Sequence, residues 1–206
     1  PAIRASAIPG PQASVAADRD GALAALGCGR LSGQARPRVL IGGLGMGYTL
    51  AAALAQLGET AEVVVAELVP AVVAWNRGPL AELAGRPLDD PRVGVREQDV
   101  GLVMRAERSG FDAILLDVDN GPEGLTRRAN DWLYGLEGLD AAWAVLRPGG
   151  VLAVWSAGPD PAFAQRLRKI GFAVEETRVR AHAGKRGARH VIWLAARAAG
   201  RAAPAG

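Results

Sequence analysis

The chain has 206 residues, half of them hydrophobic and 22% charged, with a formal net charge of +3. That suits one globular domain able to bury its own core, and it excludes a disordered chain. The single cysteine, Cys28, excludes an internal disulfide and a cysteine-only zinc site. No stretch approaches the roughly 18 uninterrupted apolar residues of a membrane helix. No basic-then-apolar leader opens the chain, so a cytoplasmic location is expected, although a first residue of Pro1 leaves the true start open. Only Lys169 and Lys185 among the 24 basic residues are lysines, and with the Ala, Gly and Pro excess this reflects a compositional bias. Charge is unevenly spread: residues 1–36 carry +2, residues 37–171 carry −4 and residues 172–206 carry +5. The mildly acidic body favours a cationic small ligand over nucleic acid.

Residues 1–14 are rich in Pro, Ala and Ser and read as an irregular arm. Val15, Leu23, Leu26 and Leu31 form a loose helical stripe that stops at Gly33. From there the pattern is regular. Arg38–Ile41 is a short apolar strand that runs into a glycine cluster, and Tyr48–Leu57 is a helix of good formers. Glu62–Leu68 is a β-branched strand. Pro70–Ala84 is helical with a break at Gly78-Pro79. Val93–Glu97 is a short strand, and Phe111–Val118 is a buried one. Asp131–Leu146 is an amphipathic helix, closed by Pro148-Gly149-Gly150. Val151–Ser156 is a strand, and Asp160–Ile170 is a helix ended by Gly171. Phe172–Arg180 and His190–Arg197 read as antiparallel strands around a basic loop, residues 183–189.

Strands alternating with helices predict an α/β fold: a doubly wound, mostly parallel sheet with a C-terminal antiparallel hairpin. Ligands of such sheets bind outside the carboxyl ends of the strands. That edge carries Gly42–Gly47, Glu67, Asp99, Asp117–Gly121 and Ser156. Gly43, Gly45 and Gly47 make a G-x-G-x-G turn between strand and helix, where missing side chains let a ligand reach the backbone. The dinucleotide pattern G-x-G-x-x-G fails at Tyr48 and at Leu50, and there is no Walker lysine, so neither a dinucleotide nor a nucleoside triphosphate is favoured. Glu67 ends the second strand, 20 residues after Gly47, where a carboxylate can accept hydrogen bonds from ribose hydroxyls. Asp99 follows the third strand and suits either an adenine amino group or the N-cap of the next helix.

This constellation resembles the class I S-adenosylmethionine-dependent methyltransferases, and within them the spermidine synthase (polyamine aminopropyltransferase) group. The resemblance rests on Val39–Leu50, Val65–Val69, Glu97–Asp99 and Phe111–Pro122. The Leu146–Leu152 stretch is shared more widely. Ile41 stands where ordinary methyltransferases carry an acidic residue before the first glycine, as in the synthases. The turn departs from the synthase pattern at Met46, which replaces an aspartate, and the loop Asp117–Pro122 is shorter than theirs. Residues 1–36 do not look like the synthases' small N-terminal hairpin domain.

The resemblance implies a class I methyltransferase fold, Rossmann-like, with an S-adenosyl donor held by Gly43, Gly45, Gly47, Glu67 and Asp99. The donor is S-adenosylmethionine or its decarboxylated form. Asp117 matches the synthases' general base. Asp119, Asn120 and Glu123 are candidate ligands for an ammonium group, or simply turn formers. Tyr134 matches an aromatic position near the synthases' substrate pocket, and equally suits a helix core edge. A catechol-type divalent metal site is disfavoured because Ser156 is a poor ligand, so no metal is expected. His182 and His190 fit no common metal spacing. Trp75, Trp132, Trp143, Trp155 and Trp193 read as core residues, and Cys28 as a buried small hydrophobe.

The expected organisation is an arm and helix over 1–36, a donor-binding catalytic domain over 37–197 and a flexible tail over 198–206. The expected activity is transfer of an aminopropyl or methyl group to an amine-bearing small molecule. A methyltransferase acting on a small molecule or RNA is the alternative, and a non-catalytic binding module of the same fold is the second. The partner is a small amine, with nucleic acid disfavoured, no membrane, and a homodimer left open.

Overall fold

The computed structural model describes residues 21–31, 33–108, 110–118, 132–180 and 189–200. The N-terminal arm, Asp119, Asn120, Glu123, His182 and most of the basic loop lie outside these residues. Residues 21–28 are helical (α1) and run into a short 3-10 turn, Gly29–Leu31. There follow β1 (Arg38–Gly42), α2 (Tyr48–Gln56), β2 (Glu62–Ala66) and α3 (Pro70–Arg77). Next come β3 (Val93–Arg96), α4 (Val100–Ala106) and β4 (Phe111–Leu116). The chain ends with α5 (Leu136–Val145), β5 (Leu146–Ser156), α6 (Pro161–Ile170), β6 (Ala173–Arg180) and β7 (Arg189–Ala196).

The seven strands form one sheet in the order β3-β2-β1-β4-β5-β7-β6. Strands β1 to β5 are mutually parallel along this order. Strand β7 is antiparallel to both neighbours, β5 and β6. The expected C-terminal pair is therefore present, but β7 slots in against β5 and leaves β6 outermost.

Strand residues alternate between two buried faces, which is why the central strands read as unbroken apolar runs. Val39, Ile41, Val63, Val65, Ala113 and Leu115 pack with α1, α2 and α3. Leu40, Val64, Ile114, Leu116, Leu152 and Val154 pack with α4, α5 and α6. Cys28 lies in the first of these cores, where burial pushes its thiol up to about 12, so it is a neutral apolar filler as expected. Trp143, Trp155 and Trp193 are core residues, but Trp75 is half exposed on α3, contrary to the sequence reading.

Two boundaries differ from expectation. The helix predicted over 131–146 is interrupted at Gly135, whose backbone is extended, so residues 132–134 form a separate helical piece. Strand β5 begins at Leu146, five residues early. The Gly149 N–H donates to the Arg197 carbonyl (3.0 Å), and the Arg197 N–H donates to the Gly150 carbonyl (2.8 Å), so the Pro-Gly-Gly segment is zipped to the end of β7.

Arg197 also closes α5. Its buried guanidinium donates through Nη1 to the carbonyls of Trp143 (2.7 Å) and Leu146, satisfying acceptors that the helix end leaves unpaired. The Trp143 ring lies 5.3 Å from the guanidinium carbon. Arg197→Met keeps the aliphatic bulk and strands both carbonyls. We expect a loss of about 3 kcal/mol of unfolding free energy in urea titration, since each buried orphan costs roughly 1–3 kcal/mol. A loss under about 1 kcal/mol would show that the carbonyls find other partners.

Candidate functional site

Three backbone bonds extend the parallel ladder one residue beyond the strands. The Gly43 N–H donates to Ala66 O (2.9 Å), the Asp117 N–H to Gly42 O (3.0 Å) and the Glu67 N–H to Arg96 O (3.0 Å). Gly43, Glu67 and Asp117 are thus each the first residue past β1, β2 and β4. They are fixed by the sheet itself rather than by a loose loop.

Between β1 and α2 the chain reverses sharply. Gly43 adopts φ +89°, and a Cβ there would stand 2.7 Å from the Asp117 carbonyl oxygen, a distance no side chain tolerates. The Gly47 N–H then donates to the Leu44 carbonyl at 2.8 Å, closing a four-residue turn. Gly45, at the first central position of this turn, has φ +52°, a backbone region that favours glycine. Gly47, at φ +83°, leads into α2.

Glu67 is 8% exposed. Its Oε2 accepts from the Leu44 N–H (2.9 Å) and its Oε1 from the Val69 N–H (2.9 Å), so one carboxylate ties the glycine turn to the start of the β2–α3 segment. Each oxygen keeps acceptor capacity beyond these bonds. Asp99 proves to be the N-cap of α4: its Oδ1 accepts from the N–H groups of Gly101 (2.8 Å) and Leu102 (3.3 Å). Asp117 Oδ2 accepts from the hydroxyl of Thr49 at 2.9 Å.

These residues meet in one cleft of about 250 Å³, lined by Gly43, Gly45, Glu67, Asp99 and Asp117. Leu68, Val69, Val72, Val118 and Trp132 supply apolar walls. Three carboxylates and no basic side chain are present among the described residues of this lining. A cation is the ligand that such a low-dielectric, acidic cleft attracts.

Tyr134 is placed differently from the sequence reading. Its ring is buried, meeting Phe163 edge-on at 5.8 Å, and it is not among the residues lining the cleft. The helical interruption at Gly135 turns Trp132 and Leu133 toward the cleft instead. Ser156 is fully buried and its hydroxyl donates to Gly158 O (2.7 Å), closing a turn.

Three contributors were not singled out from sequence. Thr49, 3% exposed, orients Asp117. Its only signal was a hydroxyl residue in the first turn of the helix after the glycines. Trp132 was read as core, yet it walls the cleft; Arg105 lies 4.1 Å from its ring centroid and its Nε1 donates to Glu137 (3.0 Å). Asn76, 2% exposed on α3, donates through Nδ2 to the Gly45 carbonyl (2.8 Å) and the Val72 carbonyl (2.9 Å). A lone asparagine near a helix C-terminus gives no sequence signal for that role.

Comparison with known proteins agrees with this geometry. No family model matches the chain. Polyamine aminopropyltransferase 1 of Streptomyces coelicolor is 31% identical over 149 residues, which is 68% of this chain and 27% of that protein. The chain thus spans about a quarter of the length of that curated relative. A spermidine synthase crystallised in complex with the transition-state analogue AdoDATO superposes with a TM-score of 0.72 at 20% identity, covering 89% of this chain and 61% of the synthase. A predicted O-methyltransferase of Agrobacterium tumefaciens superposes with a TM-score of 0.58 at 22% identity, covering 86% of this chain and 80% of that protein.

The sheet order, the glycine turn and the acidic cleft edge define a class I methyltransferase fold. Within that superfamily the chain is a spermidine synthase-like protein.

The turn geometry separates two glycines. Gly43→Ala places a Cβ against backbone that cannot yield, at a left-handed φ, and we expect destabilisation of about 2–4 kcal/mol. Gly45→Ala meets nothing within 4 Å and carries only the left-handed cost, about 1–2 kcal/mol. Thermal or urea unfolding of both variants checks the order. Equal losses would mean that the Gly43–Asp117 approach does not constrain the fold.

Proposed function

We propose that the cleft binds an S-adenosyl sulfonium donor, S-adenosylmethionine or its decarboxylated form, and that the chain transfers the donor's aminopropyl or methyl group to an amine-bearing small molecule. The observation that carries this reading is the convergence of Glu67, Asp99 and Asp117 on one glycine turn, in a cleft with no basic side chain among its described lining residues. A sulfonium is a cation, so the acidic lining suits it and opposes phosphates. Support comes from relatives that are transferases of the aminopropyl and methyl types.

In this reading Gly43, Gly45 and Gly47 let the donor approach the backbone, and Glu67 accepts from the ribose hydroxyls with its remaining lone pairs. Asp99 keeps α4 capped while its other oxygen, Oδ2, takes the adenine amino group. The apolar walls cover the base. The amine nitrogen attacks the sulfonium-bound carbon, the carbon–sulfur bond breaks, and the pair stays on sulfur as a neutral thioether. The nitrogen then sheds a proton to Asp117, which Thr49 holds in place. Methyl transfer is the second reading. It is favoured by Met46, which puts no carboxylate at the tip of the turn to meet a donor's amine.

The by-product distinguishes the readings. Methylthioadenosine marks aminopropyl transfer, S-adenosylhomocysteine marks methyl transfer, and neither from any amine marks a binding module. Glu67→Ala removes charge-assisted bonds to ribose worth roughly 1.5–3 kcal/mol each, so donor affinity by calorimetry should fall at least about tenfold. Unchanged affinity with an intact fold would reduce Glu67 to a brace of the turn.

Asp117→Asn preserves size and removes the proton acceptor. General base catalysis contributes roughly 10²–10⁴ in rate, so turnover should fall by at least about a hundredfold while donor affinity changes little. A loss under about threefold would remove Asp117 from the chemistry. Loss of donor affinity in step with turnover would instead make it part of the donor site and favour methyl transfer.

A further inference from the structure

Trp132 lines two cavities at once. It walls the donor cleft, and it also lines a second cavity of about 290 Å³ between α4 and α5. No other described residue is shared by the two linings. Met104, Ala141 and Ala144 give the second cavity apolar lining, and Arg105, Glu137 and Asp140 give it charge. The proposed chemistry makes no use of this space.

The indole that separates the cavities is held at three points. Its Nε1 donates to Glu137 on α5 at 3.0 Å. The guanidinium carbon of Arg105, on α4, lies 4.1 Å from its ring centroid, a cation–π contact. Its benzo edge abuts Gly101 in the first turn of α4, where a Cβ would stand 2.5 Å from Cζ3. Glycine is a costly choice inside a helix, and here the missing side chain is what admits the ring. The same Cβ would stand 2.8 Å from Asp99 Oδ1. Asp99 and Trp132 are therefore neighbours across Gly101, and both line the cleft.

We infer that Trp132 is a specificity-determining partition: it closes the cleft beside Asp99 against the second cavity, and so makes the chain reject adenosyl ligands that carry a bulky group on the adenine amino nitrogen. This rests on the reading of the cleft as an S-adenosyl site with the amino group at Asp99. A bulky substituent there has to displace a ring clamped by α4 and α5, and a pocket discriminates through such a clash. Removal of the indole joins the two cavities. The space behind it suits an aromatic group, since an apolar cavity of roughly 150 Å³ already holds benzene. Arg105, deprived of the indole, is left with a cation–π position for the incoming ring.

The test measures binding to the full chain by calorimetry. The probes are methylthioadenosine, which carries the adenosyl portion common to both donors, and its derivative with a benzyl group on the adenine amino nitrogen. The derivative keeps one N–H for Asp99, so its penalty reads the wall rather than a lost hydrogen bond. On the wild type the benzyl derivative should bind at least about tenfold more weakly than its parent. In Trp132→Ala that penalty should shrink below about threefold, whatever happens to the parent's own affinity. Trp132→Leu keeps an apolar filler between the helices and should lose part of the penalty, which serves where the alanine variant does not fold. Leu68→Ala is the control. Leu68 lines the cleft but not the second cavity, so its loss should weaken both probes alike and keep the penalty.

Each outcome has one meaning. If methylthioadenosine does not bind the wild type, the donor-site reading falls and this inference falls with it. If it binds and the benzyl derivative binds as well, the site reading stands and the partition is overturned. The full penalty retained in the folded Trp132 variants overturns it. So does an equal relaxation in Leu68→Ala, which would mark general loosening of the cleft.

Discussion

The closest constraint in this protein is the approach of the first glycine turn to the end of β4. Parallel strands β1 and β4 are adjacent, and the chain leaving β1 must pass over the Asp117 carbonyl before entering α2. Only a residue without a side chain and with a positive φ makes that passage. Once Gly43 does so, the Leu44 N–H meets Glu67, the Gly45 carbonyl meets Asn76, and Thr49 meets Asp117. The cleft's acidic groups are thus gathered by backbone geometry before any ligand is considered.

The same packing explains how three carboxylates share one cleft. Isolated buried carboxylates are costly, but Glu67 accepts from two backbone N–H groups, Asp99 from two more and Asp117 from a hydroxyl. For Glu67 and Asp99 these donors are neutral backbone groups. Such donors stabilise an anion without cancelling its field, so these two carboxylates leave the cleft edge negative. Arginines serve elsewhere, as at Asp112, which pairs with Arg147 at 2.6 Å outside the cleft lining.

The likeness to polyamine aminopropyltransferases and the likeness to methyltransferases belong to one physical arrangement. Both share the fold of this chain, with the glycine turn and the acidic residues at one edge of its sheet. In this chain the tip of the turn is Met46, the Gly45 carbonyl beside it is held by Asn76, and Asp117 stands first after β4. In the proposed reading, donor recognition on β1 and β2 is separate from proton acceptance on β4, which lets one scaffold serve several acceptors.

Much of this was legible in the sequence because it is local. Apolar runs of strand length, breakers at Gly78 and Gly171, and the glycine cluster after β1 are properties of a few neighbouring residues. The placement of Glu67 and Asp117 follows from simply standing first after a strand. The sequence by itself therefore determined the alternating α/β order, the glycine turn and the acidic residues at the strand ends. Only the tertiary structure decided that β7 inserts between β5 and β6, that Tyr134 turns into the core while Trp132 walls the cleft, and that Thr49 and Asn76 hold the site. The reason is distance along the chain. Thr49 reaches Asp117 across 68 positions and Asn76 reaches Gly45 across 31, and no periodicity or spacing encodes which buried polar atoms will meet once the sheet has closed.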